Sequence, residues 1–405
     1  MLKAVKIQLD PSPRQERLLR GAAGAARFAF NACLAHVKAQ LDVGERPDWS
    51  FYALRKWWNA HKNTLAVNKT TGVPWWGEYS KEAFAYGVES LAGGLKNYTA
   101  SKQGKRVGRK VGFPRFKSKH SALKFAYTTG SFGMIADDPH GLRLPRIGRV
   151  HTMENVTQRV GTGRVVRMTI SERAGCWYAA LTIETEEPDT PRKQKRDSVG
   201  VDLGVTALAT LSDGTKIANP KRLQHAERKL KHLQRELSRK QKGSHRREQA
   251  RRKLARQHAK VADARMDGLH KLTTMLASVY AVVCIEDLNV QGMMHNHHLA
   301  KSIADASFFE FRRQLVYKTV KYGSRLRVVD RYYPSSKTCS NCGMVKAKLS
   351  LNEREYHCQQ CGLVIDRDLN AAININVVGS APKTLNAHGG DISPTATHGG
   401  GRQLQ

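Results

Sequence analysis

The sequence predicts an α+β protein of several domains: a β half with a helical segment inserted, then an α/β half interrupted by a metal clip. Three observations carry this. Apolar residues alternate with period two at the start of the chain and again from Leu123 to Ile183, with three-and-four spacing between. Past residue 197, short buried runs alternate with long amphipathic ones, the pattern of sheet and helix in turn. Two Cys-x-x-Cys pairs, Cys339/Cys342 and Cys358/Cys361, break that second half. At 405 residues the chain is long enough for two or three domains.

Charge limits the partners. Lys and Arg number 68 against 34 Asp and Glu, a formal net charge of +34, while the apolar fraction is an ordinary 40%. A folded body this basic favours a polyanion, because each phosphate it neutralises releases a counterion. Nucleic acid is the expected partner, ahead of a merely soluble basic surface or anionic lipid. Met1 to Asp10 alternates Val5, Ile7 and Leu9 as a strand does, so no secretory signal is expected. No apolar run approaches the ~18–20 residues needed to cross a bilayer. The cysteine pairs and the three single cysteines, Cys33, Cys176 and Cys284, read as metal binding and buried thiols in a reducing cytoplasm.

After the opening strand, Ser12-Pro13-Arg14-Gln15 marks a helix start, with a capping residue, a first-turn Pro and Gln three residues on. Helix continues to about Tyr98 and is rich in aromatics: Trp49, Phe51, Tyr52, Trp57, Trp58, Trp75 and Trp76. Most are expected between helices, although aromatics among Lys and Arg also stack on bases. A basic, Gly-containing loop from Ser101 to Lys110 leads into Gly112-Phe113-Pro114-Arg115-Phe116-Lys117 and suits backbone phosphates. Leu123 to Ile183 reads as an antiparallel sheet, a small barrel closed by the N-terminal strand. Glu184 to Arg196 is a polar linker.

The second half opens with Val199-Gly200-Val201-Asp202-Leu203-Gly204, then Ala207 to Leu211 and the turn Ser212-Asp213-Gly214, which suits an RNase H-like sheet. Two helices follow from Pro220, broken at Gly243-Ser244. Leu223, Ala226, Leu230, Leu233 and Leu237 give one apolar stripe, and the other faces are basic. From Arg239 to Lys260 Glu248 is the balancing acid, so this arm is expected to face phosphates. A buried strand from Ala281 to Glu286, a helix from Phe308 to Tyr322, a strand from Leu326 to Asp330 and a last helix from Asp368 to Val378 complete it. Beyond Gly379 the composition predicts disorder. His295, His297 and His298 fall in an expected exposed loop.

The cysteine pairs are separated by 15 residues (343–357). Gly343 and Gly362 follow each pair, letting the chain turn so that backbone amides point at the sulfurs. Four thiolates close a tetrahedral site with no place for water, so one structural Zn²⁺ is expected at Cys339, Cys342, Cys358 and Cys361.

Three acids stand at ends of predicted elements. Asp202 ends the first strand, Glu286 ends the buried strand, and Asp368 opens the last helix. Carboxylates so placed are expected to hold two Mg²⁺ ions against a phosphodiester, Asp202 being assigned to both ions and Glu286 and Asp368 to one each. Asp287 competes with Glu286, though one of the two must point away if both lie on a strand. Asp366 competes with Asp368, which is preferred because Asn370-Ala371-Ala372 follows it with small residues. Any one of these acids alone also fits a capping role.

These residues carry a resemblance over nearly the whole chain. Val199 to Gly204, Ile285-Glu286-Asp287-Leu288, Tyr333 to Gly343 and Asp366 to Ile375 resemble the TnpB family of transposon-encoded RNA-guided nucleases, related to type V CRISPR effectors. Arg27-Phe28-Ala29-Phe30-Asn31, Gly112 to Phe116 and Thr384 to Gly390 are also similar to it. The resemblance implies a wedge-like β-barrel (1–10 and 119–187) with an inserted helical recognition domain (11–118). It implies a RuvC-like nuclease domain (197–333 and 366–378) carrying a zinc ribbon (334–365), then a tail (379–405). It further implies a guide RNA from the transposon end, double-stranded target DNA recognised beside a short flanking motif, and a bacterial or archaeal cytoplasmic setting. A nuclease-inactive RNA-guided repressor and an unguided nucleic-acid-binding transposase accessory protein are the alternatives.

Overall fold

The computed structural model describes residues 2–106, 108–185, 195–350, 352–381 and 390–391. The chain divides into two compact units, Met1–Pro188 and Asp189–Gln405. Most of the polar linker, and the tail similarity from Thr384 to Gly389, lie outside the described residues. Among the described residues no helix is long and apolar enough to cross a membrane.

In the first unit β1 (Leu2–Asp10) buries Val5, Ile7 and Leu9 on one face, as its alternation requires. α1 (Pro13–Asp42) begins where the capping signal lies. The Ser12 hydroxyl accepts from the Gln15 N–H at 3.3 Å, and the Gln15 amide oxygen accepts from the Ser12 N–H at 3.0 Å. α2 (Phe51–Leu65) and α3 (Lys81–Lys102) pack with α1 around Leu34, Trp58, Phe84 and Leu91. Trp49, Phe51, Trp57, Trp75 and Trp76 pack against that cluster, whereas Tyr52 stands in solvent. The expected loop starts slightly late, since α3 runs through Lys102.

The strands β2 (Lys124–Tyr127), β3 (Gly133–Ile135), β4 (Asp138–Leu144) and β5 (Gly148–Thr152) come next. Short α4 (Val156–Val160) then precedes the long hairpin β6 (Arg164–Arg173) and β7 (Cys176–Glu184). They form one antiparallel sheet in the order β2-β6-β7-β1-β5-β4-β3. The sequence reading asks for a barrel closed by the first strand. Here β1 lies mid-sheet, and β2 and β3 are edges with no ladder between them among the described residues. Alternation reports a buried face, whereas closure depends on strand tilt and stagger, which no period reveals. Cys176, expected as a buried thiol, is half-exposed at the β6–β7 turn; Cys33 and Cys284 are buried.

The second unit starts with β8 (Arg196–Leu203), β9 (Ala207–Leu211) and β10 (Lys216–Ala218), a meander. α5 (Arg222–Ser238) and α6 (His245–Val279) form a helical hairpin closed by Leu230, Leu254 and Val261, leaving the basic faces outward. Glu248 pairs with Arg251 and Arg252. β11 (Tyr280–Glu286), α7 (Val290–Met294), α8 (Ala300–Ala306), α9 (Phe308–Lys321) and β12 (Arg325–Val329) follow. The three histidines are exposed between α7 and α8. The small hairpin β13 (Glu355–His357) and β14 (Val364–Asp366) leads into α10 (Arg367–Ser380).

The main sheet has the order β10-β9-β8-β11-β12-β15, with β8, β11 and β12 parallel. Its last strand, β15 (Gly390–Asp391), pairs antiparallel with β12 and corrects the expectation that everything past Gly379 lacks structure. Edge pairing uses backbone groups, so a polar, Gly-containing segment can add to a sheet without an apolar signature. Val199 and Val201 of β8, with Val283 and Ile285 of β11, face a core shared with Leu272, Leu276, Phe311 and Leu315. The opposite face is covered by α10, and Gly200 makes that cover close. A Cβ on Gly200 would lie 2.0 Å from the Ala372 carbonyl oxygen and 2.6 Å from the Asn376 nitrogen. Both are backbone atoms that cannot step aside.

Gly200→Val is therefore expected to cost about 3 kcal/mol through overpacking. Gly268→Ala, on an α6 position with open space around it, should be neutral or stabilise by up to about 1 kcal/mol. Urea unfolding of the two variants checks the contrast.

Candidate functional site

Strand pairing puts two of the acids side by side. Val201 of β8 registers with Ile285 of β11, so Asp202 and Glu286 follow at the same ends of adjacent parallel strands. Alternation points both toward the α10 face, the side of Gly200 and Cys284 rather than of Val201 and Ile285. α10 then delivers Asp368 from its first turn. All three remain partly open to solvent.

Their mutual influence shows in the protonation of Asp202. Burial among protein atoms, then the Asp368 and Glu286 carboxylates, push its carboxyl up to about 7, against the opposing pull of Arg367. Burial also raises Glu286, partly offset by the Ser335 hydroxyl, which donates to its Oε1 at 3.2 Å. A carboxyl raised first by burial and then by two neighbouring acids marks a candidate cation site. The three acids are not drawn within 4.8 Å of one another, as the four cysteines are. Acids divided between two cations about 4 Å apart need not be.

The competitors are otherwise engaged. Asp287 accepts from Arg312 and from Arg331 Nε, the latter at 3.0 Å; burial alone would raise it, yet these two guanidinium groups hold it low. Asp366 caps α10 through the Leu369 N–H at 3.0 Å and pairs with Lys216 at 2.6 Å. Burial works against its charge, but Lys216 keeps it low.

The four cysteine sulfurs lie within 4.8 Å of one another, with Cys339 and Cys361 3.6 Å apart and Cys342 and Cys358 3.5 Å apart. These spacings are too long for disulfides. Four sulfurs at about 2.3 Å from a tetrahedral zinc stand about 3.8 Å from each other, so the residues fit a structural zinc. Gly343 and Gly362 adopt φ of +78° and +72°, and each donates back to the first cysteine carbonyl of its pair, at 3.0 and 3.1 Å. The Asn341 side chain and the Leu363 N–H hold the Cys361 thiol down to about 6, ready to ligate as thiolate.

Sequence reasoning missed the residues that tie clip to acids. Asn370 and Asn374 are buried on α10, one turn apart. The Asn370 amide donates to the Thr338 carbonyl at 2.7 Å, and its oxygen accepts from the Ser340 N–H at 2.9 Å. The Asn374 amide donates to the Ser335 and Thr338 carbonyls at 2.8 and 2.7 Å. A signal existed: Asn recurs at 370, 374 and 376 within one helix, where it is a poor helix former and needs side-chain partners.

Comparison with known proteins adds descent to geometry. Family models match three stretches: one described as "Probable transposase" over residues 181–297, a "Cas12f1-like, TNB domain" over 308–375 and a "Helix-turn-helix domain" over 1–44. The last stretch holds one strand and one long helix here, β1 and α1. "Putative RNA-guided DNA endonuclease Rv2885c" of Mycobacterium tuberculosis is 36% identical over 398 residues, covering 92% of this chain and 86% of that protein. "Putative RNA-guided DNA endonuclease InsQ" of Escherichia coli K12 is 32% identical over 395 residues, covering 94% and 93%. Among solved structures, that of the mini-RNA-guided endonuclease CRISPR-Cas_phi3 superposes with a TM-score of 0.49 at 9% identity, over 94% of this chain and 92% of that one. The class is a mixed α/β protein carrying a four-cysteine cluster. Within it, this chain belongs to the TnpB family, alongside the relatives just named.

Two outcomes follow from the charges and the clip. The folded chain keeps the Asp202 proton up to about pH 7, whereas an unfolded Asp releases it near 4. Stability of the magnesium-free protein should then fall as pH rises from about 4 to about 7. Asp202→Asn should melt higher than the parent at pH 8, with the gap closing toward pH 5, as read by thermal unfolding in magnesium-free buffer. Cys361→Ser should lose bound zinc and lower the melting temperature of the second unit, checked by elemental analysis beside calorimetry.

Proposed function

We propose that this chain is an RNA-guided DNA endonuclease that hydrolyses phosphodiester bonds at Asp202, Glu286 and Asp368. The convergence of these acids on one face of the second unit carries the reading, since a capping or strand-end role would explain each acid singly but not all three together. The named activity of relatives 32–36% identical over nearly the full length supports it.

In this reading Asp202, Glu286 and Asp368 would hold two Mg²⁺ ions. The ions supply Lewis acidity and an activated water to phosphodiester hydrolysis. The chain's own contribution is positional. β8 and β11 fix Asp202 and Glu286 in register, and α10 sets Asp368 beside them. Lys216 occupies Asp366, and Arg312 and Arg331 occupy Asp287, which keeps these two carboxylates out of the cluster. Cys339, Cys342, Cys358 and Cys361 would hold one Zn²⁺ as a structural clip.

The guide would be an RNA from the transposon end and the substrate double-stranded DNA beside a short flanking motif, with pairing reading the sequence. The formal charge of +34 supplies the attraction for both strands. The first unit would be the wedge and recognition portion, the second the RuvC-like nuclease with its ribbon, acting on DNA in the cytoplasm. A nuclease-inactive repressor would have no use for the retained acids.

A cleavage assay with co-expressed transposon-end RNA, a randomised flank library and Mg²⁺ tests the reading; no cutting beside any flank would overturn it. Asp202→Ala should reduce cutting by about 10³-fold or more while RNA and target binding stay within about threefold of the parent. Gel-shift and cleavage measurements on one preparation separate the two effects.

A further inference from the structure

We propose that Ser335, at the root of the cysteine clip, is a positioning residue for Glu286, and that Asn374 relays the placement of α10 to it. The inference rests on the reading of Glu286 as a cation-holding acid and names what orients it. Ser335 is 3% exposed and its hydroxyl donates to Glu286 Oε1 at 3.2 Å. That bond engages one carboxylate oxygen and leaves the other, Oε2, for a cation. Glu286 is the last residue of its strand, and the Ser335 hydroxyl reaches its carboxylate from outside the sheet.

Ser335 is itself held. Its carbonyl accepts from the Asn374 amide at 2.8 Å, and that same amide donates to the Thr338 carbonyl at 2.7 Å, one residue before Cys339. Asn374 is 4% exposed and lies on the helix that also carries Asp368. One helix thus fixes the third acid directly and the second acid through Ser335. Hydrogen bonds that orient a metal-ligating carboxylate are commonly worth about 10–100-fold in metal affinity. The clip and the acids therefore act as one construction: its first residues are a strut of the acid cluster.

The test is a Mn²⁺ titration, read by electron paramagnetic resonance, on the full-length zinc-loaded chain freed of nucleic acid, with Asp202→Ala as the background. Ser335→Ala is expected to retain one zinc per chain and melt within a few degrees of the parent, yet bind Mn²⁺ about tenfold more weakly. Ser335→Thr, which restores a hydroxyl, should recover binding to within about twofold. Asn374→Ala should weaken Mn²⁺ in the same direction with zinc retained. Parent-like Mn²⁺ affinity in Ser335→Ala overturns the proposal, as does loss of zinc together with Mn²⁺, which would make Ser335 part of the clip's scaffold alone. A parent that binds Mn²⁺ through Asp202 but cuts no DNA sinks the endonuclease reading, while a weakened Ser335→Ala in that case still upholds the contact.

Discussion

The close approach of α10 to β8 at Gly200 is the constraint on which the second unit depends. Helix and strand meet there with backbone against backbone, because neither Gly200 nor the buried Ala371 and Ala372 interposes a side chain of any length. Close-packed interiors do not stretch to absorb an extra carbon. With a larger residue at 200 the helix would stand off the sheet, and Asp368 would stand off with it. The acids are separated by more than eighty residues of chain at each step, so only this packing makes them neighbours. The carboxyl ends of parallel strands are where an α/β sheet collects ligands, and here a helix start completes the set from the open side.

The electrostatics follow from that geometry. A chain with twice as many basic as acidic residues could have paired every carboxylate with a cation, and around the cluster it does so: Asp287 and Asp366 are both neutralised by Lys or Arg. Asp202 is left among two other acids, its proton retained to about pH 7. Like charges gathered in a half-buried place destabilise the fold, and selective pairing of the neighbours confines that strain to three side chains. In the proposed reading, a cation held by the three acids would relieve that repulsion.

Much of this was legible in the sequence, and the exceptions share a cause. The capping box at Ser12, the break at Gly243-Ser244, the strand ending at Glu286 and the cysteine clip are local signals, each set by residues within a few positions. Alternation would have separated Glu286 from Asp287 had both lain on the strand, but β11 ends at Glu286, and it is the Arg312 and Arg331 pairing that draws Asp287 aside. The open order of the first sheet, the pairing of Gly390–Asp391 with β12, and the half-exposure of Cys176 depend on contacts far apart in sequence. Backbone pairing leaves no apolar trace, and a cysteine's burial depends on where its hairpin ends.

Asn370 and Asn374 lie between those cases and show why the clip sits where it does. A short segment, with a small core around Cys339, Tyr356 and Cys358, is interposed between β12 and the helix that must arrive beside β8. The two asparagines tie the helix to the clip's backbone carbonyls, at Ser335 and Thr338, while it packs on the sheet. Buried amides so placed must be satisfied together, because one left unpaired costs ~1–3 kcal/mol. The register of α10 along β8 and the conformation of the chain just before Cys339 are thereby set by the same four hydrogen bonds. A four-cysteine clip in this place is more than a staple for a loop: it is the fixed point from which the helix carrying Asp368 is measured.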